Sequence, residues 1–425
     1  MAFGKSSITA IEFGTTKVCA LHGGRDRNGN PVVYGFGERS CENAMSKGDI
    51  VDFPALVNVL AKALEDADKS AGFDYDRGSV YCVLSGPGVS SRQGAGEVFI
   101  YNEERKVGEE HIKEAVEKAQ SFSLPPDQAV LNAFDSYFLL DARRKTKNPL
   151  DQTATKLNAF IHIILAEKNQ TDNFRSALKE FGFEGEVTPV FGAVASAYGV
   201  LSRDEKEQGV LLVDLGGGLT DYLMVQDDGV LISGVVPVGM ENLANDLSIG
   251  LDLNIAQCRK ILSDGRLSAI RSEGGAFVEL SGNVAGTTRK IPLSSFEKII
   301  ELRLREIFSI IKAEVDARSL GHLIGSGGVL TGGGACLPDA LDMFRNVFGF
   351  HVRVGGPGGF SGAVTGLDTP KHTAILGLLK YAVDMEANEQ GSGLTGGFMK
   401  VTDALDGVTK SIFRRLKNAT GSLKI

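Results

Sequence analysis

Apolar positions along this chain of 425 residues follow two periods. Short apolar runs of strand length end in glycine or threonine, and between them lie segments with an apolar residue every three or four positions. Residues 7–13, the turn Gly14-Thr15-Thr16 and residues 17–21 read as a β-hairpin, with a third strand near 31–36. Phe53, Leu56, Val57, Leu60, Ala63, Leu64 and Ala67 then share one face of a helix that begins at Asp52-Phe53-Pro54. Residues 80–84 form another strand, which stops at Ser85-Gly86-Pro87-Gly88. A small α+β unit follows, to about residue 165. It has a helix over 109–122, with Ile112, Ala115, Val116 and Ala119 on one face, strands near 128–134 and 156–165, and a polar loop over 143–152.

A second strand–turn–strand starts at Gly209: strand 210–215, Gly216-Gly217-Gly218, then strand 222–225. It echoes the first hairpin, and two such units predict a duplicated fold with a ligand gripped between the halves. A strand over 230–238 leads to Gly239. Residues 240–321 carry helices at 241–249, 255–263 and 294–318 and a short sheet from 276–280 and 287–291. Strand 328–331 runs into Gly332-Gly333-Gly334, a helix covers 336–348, and a last helix covers 369–383. The Gly, Ser and Thr of 388–397 read as a flexible linker.

Composition narrows the class. An apolar fraction of 43% and a charged fraction of 23% are those of a globular chain long enough for two or three domains. The net charge of −8 argues against a general nucleic-acid binder, which needs a basic face for phosphates. Charge is unevenly spread, however: residues 404–425 hold Lys410, Arg414, Arg415, Lys417 and Lys424 against one acid, Asp406. Five scattered cysteines (Cys19, Cys41, Cys82, Cys258, Cys336), with apolar neighbours and no Cys-x-x-Cys pair, read as reduced, buried thiols. Residues 1–7 lack the apolar core of a signal peptide, and no stretch approaches a membrane span. Membrane contact is therefore expected on a surface, from the cytoplasmic side.

Three glycine turns, each after a strand, form the main constellation: Gly14-Thr15-Thr16-Lys17, Asp214-Leu215-Gly216-Gly217-Gly218 and Gly332-Gly333-Gly334. Glycine lets a backbone approach a phosphate closely and aim its amides at it; threonine hydroxyls and a lysine add donors. Asp214, at a strand end, is placed to hold a hydrated Mg²⁺. One glycine turn alone is ordinarily just a hairpin, and none matches the Walker or Rossmann spacing. Three, in comparable places in the two halves, predict a phosphate clamp from the two hairpins and a nucleoside cover from the third turn.

The pattern resembles the actin, Hsp70 and sugar-kinase superfamily and, within it, the bacterial cell-division FtsA family. The stretches that carry the likeness are Ile11-Glu12-Phe13-Gly14-Thr15-Thr16-Lys17-Val18, Lys47-Gly48-Asp49-Ile50-Val51-Asp52, Val83-Leu84-Ser85-Gly86, Lys147-Asn148-Pro149, 209–221, 328–334 and the basic tail. The resemblance implies an α/β, actin-like (ribonuclease H-like) two-lobed fold that binds ATP with Mg²⁺. Its first-lobe core would be 1–82, 166–205 and a closing helix 368–386, with an inserted α+β subdomain at 83–165. The second-lobe core would be 206–240 and 322–367, its upper subdomain 241–321, then a linker 387–403 and an amphipathic helix 404–425. It implies phosphate contacts from Gly14, Thr15, Thr16, Lys17, Gly216, Gly217, Gly218 and Thr220, with Gly239 beside them. It implies adenosine contacts from Gly332, Gly333 and Gly334, with Lys260 near the base or ribose. Glu12 stands where the family usually has Asp. Glu12 and Asp214 would orient the metal's waters, and the extra methylene of Glu12 predicts ATP binding with weak or absent hydrolysis. Leu219 stands where the superfamily often has Thr.

In the tail, Leu405, Val408, Ile412 and Leu416 recur at spacings of three and four, with Phe413 beside them. Arg414, Arg415 and Lys417 occupy the flanks. Such a helix buries its apolar stripe at the headgroup boundary while its cations meet anionic lipid, each worth about 1 kcal/mol. One short helix is a weak anchor, strengthened when copies assemble. The resemblance further implies a filament or minifilament built through the inserted subdomain. The C-terminal peptide of the tubulin-like protein FtsZ would dock on the upper second lobe near Arg303, with Lys290, Lys298 and Arg305 nearby. Later cell-division proteins would be recruited, at the septal face of the cell membrane. A small-molecule kinase would need a second pocket with a base on an acceptor hydroxyl, and no motif demands one. No peptide-binding domain of the chaperone kind follows the body, and a pilus-assembly relative gives no reason for the lipid-binding tail.

Overall fold

The helix Phe53–Ala71 forms where its stripe demands. Asp52 caps it by accepting the Ala55 amide, Gly72 ends it in the left-handed region, and Leu56, Leu60, Ala63, Leu64 and Ala67 are buried. It lies so close on the strand Pro31–Ser40 that a Cβ at Gly35 or Gly37 would stand 2.1 or 2.0 Å from a helix carbonyl oxygen. Each leucine buried in this way contributes about 2 kcal/mol.

The coordinates are a computed structural model, which describes residues 7–389 except 42, 73–77, 184–186, 282–287 and 363. The amphipathic helix expected over 404–425, with Leu405, Val408, Ile412, Phe413, Arg414, Arg415, Leu416 and Lys417, lies outside the described residues, as does the linker beyond 389.

The duplication expected from the echoing hairpins is present as topology. In the first-lobe sheet, the hairpin Ser7–Phe13/Lys17–Arg25 is extended by Pro31–Ser40 on one side. On the other side lie the parallel strands Ser79–Leu84 and Val187–Phe191. In the second, Val210–Leu215/Thr220–Gln226 is extended by Gly229–Val236 and, on the far side, by parallel Gly328–Thr331 and Val352–Val354. Both sheets thus run third, second, first, fourth, fifth. The very short strand Ser361–Gly362 adds to the outer edge of the first.

One core joins the inner faces of both sheets through two helices, Gly192–Val200 and Thr373–Glu389. A second core lies between the second sheet and the helical layer Met240–Leu251, Ile255–Ser263, Arg266–Ser272 and Leu293–Ala317. The inserted unit is a four-stranded sheet, in the order Ser90–Phe99, Lys156–Glu167, Gln128–Leu140, Arg144–Thr146, under the helix Glu109–Gln120. No helix of the described residues is long and apolar enough to cross a membrane.

Prolines redraw two expected helices. The helix expected over 336–348 splits into a 3₁₀ turn, Gly333–Cys336, and Ala340–Phe348, because Leu337 before Pro338 is extended (ψ 139°). The helix expected over 369–383 begins at Thr373, after extended Thr369 and the 3₁₀ turn Pro370–His372, and runs on to Glu389. The cysteine reading is corrected at one position: four thiols are buried, but Cys336 is exposed beside the third glycine turn.

Candidate functional site

Both hairpin turns close in the same way. The Gly14 amide donates to the Lys17 carbonyl and the Gly216 amide to the Leu219 carbonyl, each at 2.9 Å. The amides between them, Thr15 and Thr16 in the first turn and Gly217 and Gly218 in the second, carry no hydrogen bond among the described residues. The two tips meet: a Cβ at Gly217 would lie 2.7 Å from Thr16 Cγ2, and one at Gly218 would lie 2.4 Å from Thr15 Oγ1. Two lobes therefore present unbonded donors at one point, the arrangement that receives an anion.

The second turn is braced from behind. At the start of the helix Met240–Leu251, the Met240 and Glu241 amides donate to the Gly216 and Gly217 carbonyls at 3.1 and 2.7 Å, which leaves the amide edge of the turn facing the cleft. Gly239 must be glycine here, since a Cβ would stand 2.5 Å from the Gly217 oxygen. The third turn closes the group. Gly332 (φ 85°) passes so near the second hairpin that a Cβ would meet Asp214 Oδ1 at 2.2 Å, and a Cβ at Gly334 would meet the Leu215 side chain at 2.5 Å. The Gly332 amide donates to the Pro370 carbonyl, and Gly333 faces Lys371.

Charge is concentrated around these turns. Lys17 Nζ donates to the Lys371 carbonyl at 2.7 Å and lies 3.5 Å from Glu12 and 3.9 Å from Glu38. Burial works against its charge, but the neighbouring carboxylates outweigh it and hold the ammonium above its ordinary value. Glu38 also pairs with His372 at 2.8 Å and Lys371 at 3.0 Å; the His372 hydrogen bond is the main reason its carboxyl falls to about 2.

Asp214 and Asp221 face each other across the second hairpin. Ser196 donates to Asp214 and Ser85 to Asp221 (2.5 Å), so each second-lobe carboxyl is held by a first-lobe serine. Burial pushes Asp214 up to about 6 against the Ser196 bond. Burial, against the Ser85 bond and with a further push from Asp214, carries Asp221 up to about 8. Asp221 Oδ1 is a buried carboxyl oxygen left unpaired by the described residues.

Gly14, Thr15, Thr16, Lys17, Gly216, Gly217, Gly218, Gly239 and Gly332 to Gly334 are thus brought together, with Glu12 and Asp214 beneath them. Two further expected contacts, Thr220 and Lys260, are placed as follows. Thr220 is fully buried and its hydroxyl donates to the Val238 carbonyl at 2.8 Å, so it braces the sheet. Lys260 lies exposed on the helix Ile255–Ser263, with no ion-pair partner among the described residues. Sequence reasoning missed Asp221, Ser85, Ser196, Glu38 and His372. Asp221 had a signal, a charged residue inside the apolar strand Thr220–Gln226. Ser85 lies in a stretch that carries the family likeness, but Ser196 had no signal, because only the fold brings it near Asp214.

The amides, the lysine and the buried carboxyl pair fit a magnesium nucleotide. The four unbonded amides and Lys17 would hold its phosphates, Asp214 would hold the metal through water, and Gly332 to Gly334 would cover the nucleoside.

On the outer helical layer, Met240–Leu251 and Leu293–Ala317 frame a groove of about 330 Å³ lined by Asp246, Ile249, Gly250, Ile299, Leu302, Arg303 and Glu306. Ile249 (75%) and Leu302 (54%) are exposed for residues of their type. Arg303 is held bidentately by Asp246 at 2.6 and 2.8 Å and also by Glu306.

Comparison with known proteins places this geometry in a family. A profile described as "Cell division protein FtsA" matches residues 211–377, and one described as "SHS2 domain inserted in FTSA" matches residues 86–165. The chain is 29% identical over 387 residues to the "Cell division protein FtsA" of Borreliella burgdorferi, covering 89% of this chain and 91% of the relative. To the protein of the same description in Pseudomonas aeruginosa it is 26% identical, covering 92% of each. Among solved structures, the fold matches MreB 5 of Spiroplasma citri bound to AMPPNP with a TM-score of 0.55 at 12% identity, covering 91% of this chain and 99% of the other. It matches a PilM-PilN type IV pilus biogenesis complex with a TM-score of 0.56 at 15% identity, covering 88% and 98%.

Proposed function

Since the chain belongs to the FtsA family of bacterial cell-division proteins, we propose that it is an ATP-binding, actin-like adaptor that tethers FtsZ polymers to the cytoplasmic membrane. The observation that carries this reading is the meeting of two hairpin tips, one from each lobe, each with amides that carry no hydrogen bond among the described residues. Bound magnesium nucleotide supplies a polyanion that both lobes can grip. The chain's own part is then conformational: a ligand touching both tips favours the closed arrangement. Slow or absent hydrolysis fits Glu12, whose longer carboxylate is drawn toward Lys17. The nucleotide-bound MreB 5 supports the same use of the fold.

The outer groove suits the peptide of FtsZ, apolar and acidic, with Ile249 and Leu302 as the greasy wall and Arg303 as the cation. Arg303 is already neutralised by Asp246 and Glu306, so an acidic peptide must displace Glu306. Glu306→Gln is therefore expected to tighten peptide binding about threefold to tenfold and to strengthen its salt dependence, measured by fluorescence anisotropy.

The tethering itself is tested with vesicles containing phosphatidylglycerol. Full-length chain should sediment with them, more so with ATP, and carry FtsZ down. A chain ending at residue 403 should stay in the supernatant. Equal sedimentation of both forms, or of neither, would remove the membrane role assigned to 404–425.

A further inference from the structure

The inserted unit leaves the first-lobe sheet after Ser79–Leu84 and returns to it through the helix Lys168–Lys179 and the strand Val187–Phe191. Covalently it belongs to the first lobe, where Asn132 accepts the Phe191 amide at 3.0 Å, but three further polar contacts cross to the second. Ser136 Oγ donates to the Val230 carbonyl at 2.8 Å, Ser91 Oγ donates to the Ser233 carbonyl at 3.0 Å, and His162 Nε2 lies 2.7 Å from Ser233 Oγ. All three fall on Gly229–Val236, the outer edge strand of the second-lobe sheet. The approach is close enough that a Cβ at Gly229 would stand 2.3 Å from the Ser136 carbonyl oxygen.

The turn that opens this strand continues the contact. Asp227 and Asp228 both sit at positive φ, 55° and 56°, in a two-residue hairpin turn where Asn-Gly is the easier choice. Their carboxylates lie 3.6 to 3.8 Å from Lys145 and Lys147 of the inserted unit, and Lys145 also donates to Gln226 at 3.2 Å. Their amides are tied to the Glu207 and Lys206 carbonyls, which fixes the turn toward the inserted unit.

A bare edge strand invites pairing with another strand. This one is covered by hydroxyls and an imidazole in place of a backbone ladder. Burial lowers His162 to about 4, so its bond to Ser233 is a neutral one at cytoplasmic pH. Buried side-chain hydrogen bonds and half-exposed ion pairs, each modest in net terms, thus join the inserted unit to this strand, above a core that both share.

We propose that the inserted unit is a strap across the cleft, fastened to the second lobe at Val230 and Ser233, so that opening or closing of the cleft is passed to the orientation of this unit. The proposal rests on the reading that both lobes grip one nucleotide, because it assigns that grip its mechanical output. A ligand that favours the closed cleft would then favour the fastened strap, and the converse holds by linkage.

The test measures the distance between nitroxides placed on Lys113→Cys in the inserted unit and Ala317→Cys in the second lobe, in full-length Cys336→Ser protein. Without nucleotide, the unaltered strap should give a narrower distance distribution than a Ser136→Ala/Ser233→Ala form, and Mg-ATP should narrow it further. The double variant should also bind ATP about threefold to tenfold more weakly. Lys147→Glu, on the exposed hairpin and without risk to folding, should broaden the distribution in the same sense. Identical distributions for parent and both variants would overturn the strap. A parent that shows the strap but binds no ATP would instead overturn the nucleotide reading and leave the fastening standing as a structural brace.

Discussion

Gly332→Val is expected to weaken ATP binding at least about a hundredfold, the loss that roughly 3 kcal/mol produces. Two costs meet at this position. The backbone sits at φ 85°, a conformation that a β-branched residue reaches only with strain of about 1–2 kcal/mol or more. The new Cβ would also stand 2.2 Å from Asp214 Oδ1 and 2.7 Å from the Leu215 carbonyl oxygen, so the third turn must retreat from the second hairpin. That retreat opens the nucleoside side of the cleft and disturbs the carboxyl assigned to the metal's waters. Gly349→Ala is the control: φ is 79°, but nothing lies within 4 Å of the added carbon. It should cost about 1 kcal/mol of stability and leave ATP affinity unchanged. Anisotropy titrations with a fluorescent ATP, run beside thermal unfolding, separate the two variants.

Asp221→Asn is expected to stabilise the nucleotide-free protein above neutral pH. An unfolded aspartate titrates near 4, whereas folded Asp221 keeps its proton up to about 8 because it is buried, with Asp214 opposite. Between those values the native state binds more protons than the unfolded one, so stability falls as pH rises. The contribution is whole below about pH 4 and is lost progressively up to pH 8. Asparagine keeps the shape without the titration. The variant should therefore gain on the order of 5 kcal/mol at pH 8, gain nothing at pH 4, and retain a weaker slope below pH 6 from Asp214, itself raised to about 6. Urea unfolding across this range checks the result. Parallel curves for parent and variant would mean that Asp221 is ionised in the native state.

These two positions also show what could be read in the sequence. Gly332 was legible because a glycine run after a strand has few uses, and a third such run, in a chain with two similar hairpins, singles out one site. The same logic found Gly14 and Gly217. The helix Gly192–Val200 was illegible: eight of its nine residues are buried, so it shows no polar face and no 3.6-residue period. Ser196, which holds Asp214, was hidden with it. The strand Ser90–Phe99 was missed because it is an edge strand with Gly94 and Gly96 and mostly exposed positions. Those glycines are explained by packing, as a Cβ at Gly96 would stand 1.9 Å from the Ala115 carbonyl of the helix above. Thr220 shows what a motif leaves open. The resemblance names it as a phosphate contact, and here its hydroxyl donates to the Val238 carbonyl. A motif gives residue types in order, whereas the face each side chain takes is set by the register of the strand that carries it.

The account depends on two turns from separate lobes and a third behind them sharing one ligand. A crystal of the full chain grown with AMPPNP and magnesium tests this directly. The expected result places the phosphates within hydrogen-bonding distance of the Thr15, Thr16, Gly217 and Gly218 amides, with the nucleoside against Gly332 to Gly334. Nucleotide bound at another face, with these tips still in contact as they are now, would contradict it.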